Sequence, residues 1–119
     1  MRLNEVSYTN ALPVEGYGPG FFRLGGAVYE GAIAVLPSGV SAWDGFDDTA
    51  AFANAEIDVL FVGMGADIAH APASFRAALE AMGIGVEVMS SPAACRTYNV
   101  LLSEGRRVGL ALFPVHSMS

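Results

Sequence analysis

The sequence of 119 residues predicts an α/β fold. In its second half, apolar runs of strand length alternate with segments bounded by helix-start and helix-stop residues, giving the overall order β-β-β-α-β-α-β-α-β. Strands that alternate with helices pair partly in parallel. Apolar residues make up 53% of the chain and charged residues only 15%, so a buried core is expected rather than disorder.

The first half of the chain predicts an N-terminal β-hairpin. Residues 1–15 show no sustained periodicity and are expected to form an arm, ahead of a single α/β domain over 16–114 and a C-terminal tail over 115–119. The run 21–24 and the long apolar run 27–36 flank the turn signal Gly25-Gly26, which is typical of paired antiparallel strands. A further short strand is expected over 40–43.

Proline and glycine set the bounds of two predicted helices. Pro72 suits the first turn of one helix, and Gly83 ends it. Ser91 is available to cap the other helix, Pro92 fits its first position and Gly105 ends it.

Three apolar runs in the same half predict strands over 57–62, 84–89 and 108–113. A short helix is expected over 49–54. Pro114 terminates the last of the strands, because proline has no N–H to donate to a sheet.

Charge and hydropathy exclude several classes of partner. Twelve acidic residues face six basic ones for a net charge of −6, so neither nucleic acid nor an anionic membrane is expected. The most apolar stretch, 57–66, is about half the length of a membrane helix, so no membrane insertion is expected. The N-terminus resembles no signal peptide, and the lone Cys95 suits a reducing compartment, which together predict a cytoplasmic protein.

Candidate ligand-binding residues follow two predicted strands, because open α/β sheets bind ligands beyond the carboxyl ends of their strands. They lie at the ends of strands and on the helix that follows: Gly63, Gly65, Ser90, Ser91 and Arg96. Free amides at a helix start attract an anion, and an arginine one turn in adds a charge-assisted contact. The favoured alternative is structural: a tight strand-to-helix passage, capping by Ser91, and Arg96 paired with an acidic side chain of its own domain.

No catalytic residue, metal site or cofactor is predicted. Cys95 shares an apolar helical stripe with Tyr98 and Leu102, which indicates a buried side chain. The two histidines, His70 and His116, are not placed near Cys95 by sequence and show no metal-ligand spacing.

One segment resembles a known family. Residues 91–99 read Ser-Pro-Ala-Ala-Cys-Arg-Thr-Tyr-Asn, Glu-Gly-Arg follows at 104–106, and Gly63-Met64-Gly65 precedes them. Together they resemble the small domain family that includes mitochondrial respiratory complex I assembly factor 3 and the adipogenesis-associated Mth-type domain protein. The resemblance implies a compact three-layer α/β domain with a mixed central sheet and no established enzyme activity. It also implies protein contacts, since the mitochondrial member assists while complex I is built.

Two functions are therefore weighed. The first is a non-catalytic protein-interaction or assembly module that assists biogenesis of a respiratory membrane complex. Four aromatic side chains are its candidate interface anchors, with burial in the core as the alternative: Phe21, Phe22, Tyr29 and Trp43. The second is a small-molecule (anion) binding protein or an enzyme of unknown reaction, with its site at the start of the helix at Ser91. Homo-oligomerisation through an exposed sheet edge stays open.

Overall fold

The computed structural model describes residues 12–66 and 69–116. These residues form eight strands, two α-helices and one 3₁₀-helix. In chain order they are β1 (Val14–Gly18), β2 (Phe21–Leu24), β3 (Ala27–Glu30), β4 (Ile33–Leu36), β5 (Gly39–Ala42), the 3₁₀-helix (Ala50–Phe52), β6 (Val59–Met64), α1 (Ala73–Ala81), β7 (Gly85–Met89), α2 (Ser91–Ser103) and β8 (Val108–Phe113).

The central sheet is mixed and has five strands in the order β5-β4-β8-β6-β7. β4 pairs antiparallel with β5 and β8, whereas β6 pairs in parallel with β7 and β8. β8, the last strand of the described residues, therefore lies between β4 and β6, in the middle of the sheet. The α/β class and the mixed sheet are confirmed.

Three layers arise because strand side chains alternate between the two faces of the sheet. On β8, Leu110 and Leu112 join a buried cluster with α2, while Ala111 joins a second cluster with α1. Residues of α2 and of the small N-terminal sheet complete the first cluster: Ala94, Cys95, Tyr98, Val14, Phe22 and Leu24. The second cluster contains Phe75 and Leu79 of α1.

The N-terminal hairpin is confirmed and is part of a larger sheet. β2 and β3 pair antiparallel across the Gly25-Gly26 turn, and β1 pairs with the other edge of β2. A β-bulge between Val14 and Gly16 interrupts the register of β1. Of the predicted arm, residues 1–11 lie outside the described residues, as do 117–119 of the predicted tail.

Two predicted elements differ from the structure. The prediction of one continuous strand over 27–36 was wrong. Gly31 adopts a φ of +80° and separates β3 from β4, and these two strands belong to different sheets. The helix over 49–54 is shorter, since only Ala50–Phe52 forms a 3₁₀-helix. Asn54 and Glu56 have φ of 62° and 60°, and such left-handed residues end a helix.

The predicted stops of both α-helices are confirmed. Gly83 and Gly105 follow α1 and α2 with φ of 82° and 81°, the left-handed conformation that glycine adopts without strain. In the described part of the chain, neither helix has the length and apolarity needed to cross a membrane.

Candidate functional site

The topology reverses between the neighbouring strands β6 and β7. α1 follows β6 on one face of the sheet, and α2 follows β7 on the opposite face. Such a reversal between neighbouring strands is where open α/β sheets usually bind ligands. The predicted site residues Gly63, Gly65, Ser90 and Ser91 all lie at the carboxyl ends of these two strands.

The Ser91 side chain lies between the carboxyl ends of β6 and β8 and is fully buried. Its Oγ accepts a hydrogen bond from the Gly65 N–H at 2.9 Å and donates one to the Phe113 carbonyl at 2.6 Å. The Ser91 N–H donates to the Gly65 carbonyl at 2.7 Å. Ser91 thus ties the ends of β6 and β8 to the first turn of α2.

Glycine is required where Ser91 meets β6. A Cβ at position 63 would lie 2.6 Å from the Ser91 Oγ and 2.7 Å from the Ser91 Cα, closer than real Cβ atoms approach. Gly65 has a φ of +86°, which disfavours any other residue there. Both glycines therefore serve the close passage of α2 over the sheet.

The cap of α2 is Ser90, so the prediction that Ser91 caps this helix was wrong. The Ser90 Oγ accepts from the Ala93 N–H at 3.3 Å, and the Ser90 carbonyl accepts from the Ala94 N–H at 2.9 Å. Ser91 is the first helical residue, with its side chain turned into the sheet. Since Pro92 has no N–H, every amide of the first turn of α2 is either absent or bonded within the chain.

Arg96 lies apart from the other four predicted site residues. Five positions separate it from Ser91, which at 3.6 residues per turn places the two side chains about 140° apart around the helix. Ser91 is buried, whereas Arg96 is exposed and lines an open groove with Thr97, Val100 and Leu101. Ligand binding by the predicted set stays a prediction.

Cys95 occupies the buried face of α2, as its stripe predicted, and is 4% exposed. Burial raises the pKa of its thiol to about 12, although the nearby Arg96 charge acts to lower it. Burial, and then the proximity of Cys95, also raise the pKa of Tyr98. Cys95 is therefore protonated at neutral pH and packs as a small apolar side chain.

The two histidines are surface residues in the structure. His70 and His116 are both exposed. Over residues 12–66 and 69–116, no group of three or more histidine, cysteine, aspartate or glutamate side chains is arranged to hold a metal ion.

Sequence reasoning missed the polar contacts that α2 makes with the N-terminal segment. The Asn99 Oδ1 accepts from the Val14 N–H, and the Asn99 Nδ2 donates to the Val14 carbonyl, both at 2.9 Å. The Tyr98 hydroxyl donates to the Leu12 carbonyl at 2.8 Å. Val14, the partner of Asn99, lies 85 positions away in the sequence, so no local pattern indicates these hydrogen bonds. The Tyr-Asn pair at 98–99, within the segment that resembles the family, was the only sequence signal for them.

Two of the four candidate interface aromatics are core residues. Phe22 is fully buried and Trp43 is 3% exposed, so they do not form a free surface. Trp43 packs in an aromatic cluster with Phe46, Phe52, Phe75 and Phe113, at ring-centroid distances of 5.1 to 6.0 Å from the indole. Phe21 and Tyr29 are half-buried.

Comparison with known proteins gives relatives that cover most of this chain. An uncharacterised protein of Rhodobacter capsulatus is 50% identical over 117 residues, 97% of this chain and 94% of that protein. NADH dehydrogenase (ubiquinone) 1 alpha subcomplex assembly factor 3 of Danio rerio is 34% identical over 107 residues, 82% of this chain and 62% of that protein. The crystal structure of an outer membrane protein from Bartonella henselae matches with a TM-score of 0.83 at 32% identity, over 92% of this chain and all of that one.

The chain thus spans less than two thirds of the assembly factor that it matches. The resemblance found in residues 91–108 is confirmed, since the similarity to that factor extends over most of the chain. A family described as a protein of unknown function (DUF498/DUF598) matches residues 14–113, which include every strand and helix of the structure. The chain belongs to this family.

Proposed function

We propose that this protein is a non-catalytic protein-interaction module that assists the biogenesis of a respiratory membrane complex. The observation that carries the proposal is the similarity to NADH dehydrogenase assembly factor 3 over most of the chain. Because the match covers only part of that factor, the role is assigned to the region that the two proteins share.

The hydrogen bonding of the family-like segment supports this function. Four polar side chains of α2 and its cap bond to backbone groups of the same chain: Ser90, Ser91, Tyr98 and Asn99. Side chains used in this way hold α2 against the sheet and the N-terminal segment. The opposite face of α2 stays at the surface, where it is available for protein contacts.

Deletion of the gene in the source organism tests the proposal. We expect the amount of assembled NADH dehydrogenase on native gels, and NADH oxidation by membranes, to fall while subunit transcripts stay constant. The wild-type chain supplied in trans should restore both. Succinate oxidation by the same membranes is the control and should not change.

Two negative results together would contradict the proposed assembly role. If the deletion strain assembles NADH dehydrogenase to the wild-type level, and affinity capture from native membranes recovers no stable partner, the assembly role is wrong.

The anion-binding hypothesis makes a separate prediction at the start of α2. A bound anion stabilises the folded state by mass action. If this site binds an anion, phosphate or a carboxylate metabolite should raise the melting temperature of the wild-type chain, and Arg96→Ala should abolish the rise. Because the first-turn amides are bonded within the chain, we expect no such rise, and a rise that Arg96→Ala removes would favour this second function.

A further inference from the structure

β1 is attached to the rest of the molecule mainly through its backbone. Of its five residues only Val14 is buried, while Glu15 and Tyr17 are exposed. The β-bulge between Val14 and Gly16 interrupts the register of its pairing with β2. Because the strand buries one apolar side chain, it gains little from the hydrophobic effect and opens at a lower free energy than the core strands.

The position of β1 is defined by groups that bind backbone rather than particular side chains. β2 pairs with one edge of the strand. On the other edge, Asn99 bonds to both the N–H and the carbonyl of Val14 at 2.9 Å, and the Tyr98 hydroxyl donates to the Leu12 carbonyl at 2.8 Å. We call the β2 edge, Asn99 and Tyr98 together the β1 site. Its contacts are met equally by β1 of the same chain and by β1 of a second copy, whose sequence is identical.

The connection between β1 and β2 is a type of turn that hairpins disfavour. Gly18 pairs with Phe21, so Pro19 and Gly20 form a two-residue connection. Proline fixes φ at about −65° in the first position, and Gly20 has a φ of +79° in the second, as in a type II turn. Two-residue hairpins favour types I′ and II′ because these match the twist of the strands, whereas type II splays them. The turn therefore does little to hold β1 against β2.

The molecule is anchored on the β2 side of this turn. The Gly20 N–H donates to the Val115 carbonyl at 2.8 Å, and the Gly20 carbonyl accepts from the Gly31 N–H at 3.0 Å. The chain is thus held from Gly20 onward, and rotation at Gly18 and Pro19 is enough to release β1. A residue that precedes proline favours extended backbone, so the opened connection continues β1 into β2 as one extended segment.

We propose that β1 exchanges between two copies of this chain to form a domain-swapped dimer. Each β1 leaves its own β1 site and occupies the same site of the second copy, so that β1 and β2 of each chain form one extended segment over 14–24. Every hydrogen bond and buried contact of β1 is kept, and the disfavoured turn is lost. The cost is the association of two chains, so chain concentration and the turn after β1 set the balance. The inference is independent of the proposed function.

The first test is to unfold the wild-type chain in urea and refold it at about 1 mM, close to the effective concentration that a short linker gives to a tethered segment. We expect size-exclusion chromatography to separate a dimer from the monomer. The isolated dimer should return to monomer slowly on dilution, because each β1 must leave the second copy before it reoccupies its own site.

A disulfide shows which chain supplies β1. Gly16 and Arg23 are paired across β1 and β2, and a Cβ at position 16 meets nothing within 4 Å. Paired residues of antiparallel strands have Cα atoms about 4.5–5.5 Å apart, within the range of a disulfide. Oxidation of Gly16→Cys/Arg23→Cys after refolding should therefore close the bond within one chain in the monomer and between two chains in the dimer, which a non-reducing denaturing gel distinguishes. Cys95 is buried and does not compete.

Pro19→Asn is the turn variant, and Pro37→Asn is its matched control. The first places asparagine before Gly20, a pair typical of type I′ turns, and should lower the dimerisation constant by about tenfold or more. Pro37 lies in the two-residue connection between β4 and β5. The same substitution there leaves the turn after β1 unchanged, so the dimer fraction should equal that of the wild type.

Three results would each overturn the inference. They are a wild-type chain that stays monomeric after refolding at this concentration, a dimer whose disulfides all close within single chains, and a Pro19→Asn variant that dimerises as strongly as the wild type. None of them bears on the assembly role, which the deletion strain tests separately.

Discussion

Two adjacent serines at the start of α2 have different roles. Ser90 caps the helix through one side-chain hydrogen bond, whereas the buried Ser91 hydroxyl bonds to both β6 and β8 at their carboxyl ends. Ser91→Ala removes a partner from the buried Gly65 N–H and from the Phe113 carbonyl. We therefore expect it to lower the free energy of unfolding by about 3 kcal/mol, measured by urea denaturation.

Ser90→Ala is the comparison for this prediction. Loss of an N-cap side chain costs about 1 kcal/mol, so the neighbouring serine should matter less. Equal losses in the two variants would show that Ser91 acts only as part of the cap.

The pH dependence of stability should carry a contribution from Cys95. Its pKa is raised from 9.0 to about 12 in the folded protein, so between these values the unfolded chain releases a proton that the native protein keeps. The contribution is fully present below pH 9 and decreases as the pH rises toward the folded pKa. We expect the free energy of unfolding of Cys95→Ala to fall less steeply than that of the wild type between about pH 8 and pH 10.

Parallel slopes for the two proteins over that range would contradict the assignment of a buried, protonated thiol. Thiol labelling gives an independent measurement, because a protonated buried cysteine reacts slowly. Native Cys95 should be labelled only at the rate at which the chain opens.

Strand β1 depends on α2 as well as on its neighbouring strand. Asn99 satisfies both backbone groups of Val14 at the edge of β1 that faces away from β2. Asn99→Ala should therefore loosen β1 while the central sheet stays intact. We expect hydrogen exchange of residues 14–18 to speed up by about tenfold or more, with the amides of β6 and β8 unaffected.

Thr97→Ala, two positions earlier on the same helix, is the control for this change. It should leave exchange in β1 as in the wild type. Uniform acceleration of all strands in Asn99→Ala would instead indicate that β1 unfolds only together with the whole protein.

An element could be predicted well where the residues that determine it are its own neighbours in the sequence. β8 was predicted with its observed bounds, because a continuous apolar run ends at a proline. β1 was missed because its residues Glu15, Gly16 and Tyr17 show no strand alternation and its bonds to Asn99 depend on tertiary packing. The break at Gly31 was hidden because the apolar residues 27–29 and 32–36 read as one run, although Glu30 and Gly31 interrupt it.

The candidate site was predicted in part for the same reason. Sequence reasoning placed Gly63, Gly65, Ser90 and Ser91 at the ends of strands, and the structure brings these four together. It also joined Arg96 to them, although five helical positions turn that side chain away. Which serine caps the helix depends on where the first turn meets the sheet, and that is set by packing rather than by local sequence.

The molecule should unfold as one unit because both core clusters share the same sheet. β4, β6 and β8 each contribute alternate side chains to the α1 face and to the α2 face. The single tryptophan, Trp43, reports on the α1 face, and the single cysteine, Cys95, reports on the α2 face. Urea midpoints from Trp43 fluorescence and from Cys95 labelling should coincide.

Leu112→Ala provides the check, since it removes a fully buried side chain from the α2 face only. A cavity of this kind costs about 2–5 kcal/mol, and it should lower both midpoints equally. Separate midpoints, or a shift of the Cys95 transition alone, would mean that the two faces unfold independently.

The central place of β8 also bears on the biosynthesis of the protein. β4 and β5 emerge from the ribosome early, and β6 and β7 follow, but no pairing joins these two groups until β8 lies between them. A nascent chain therefore carries the facing edges of β4 and β6 unpaired until residue 113 has been synthesised, and such edges promote aggregation. A stop codon anywhere before Val108 leaves two half-sheets that cannot join, so the central sheet closes only once β8 has been synthesised.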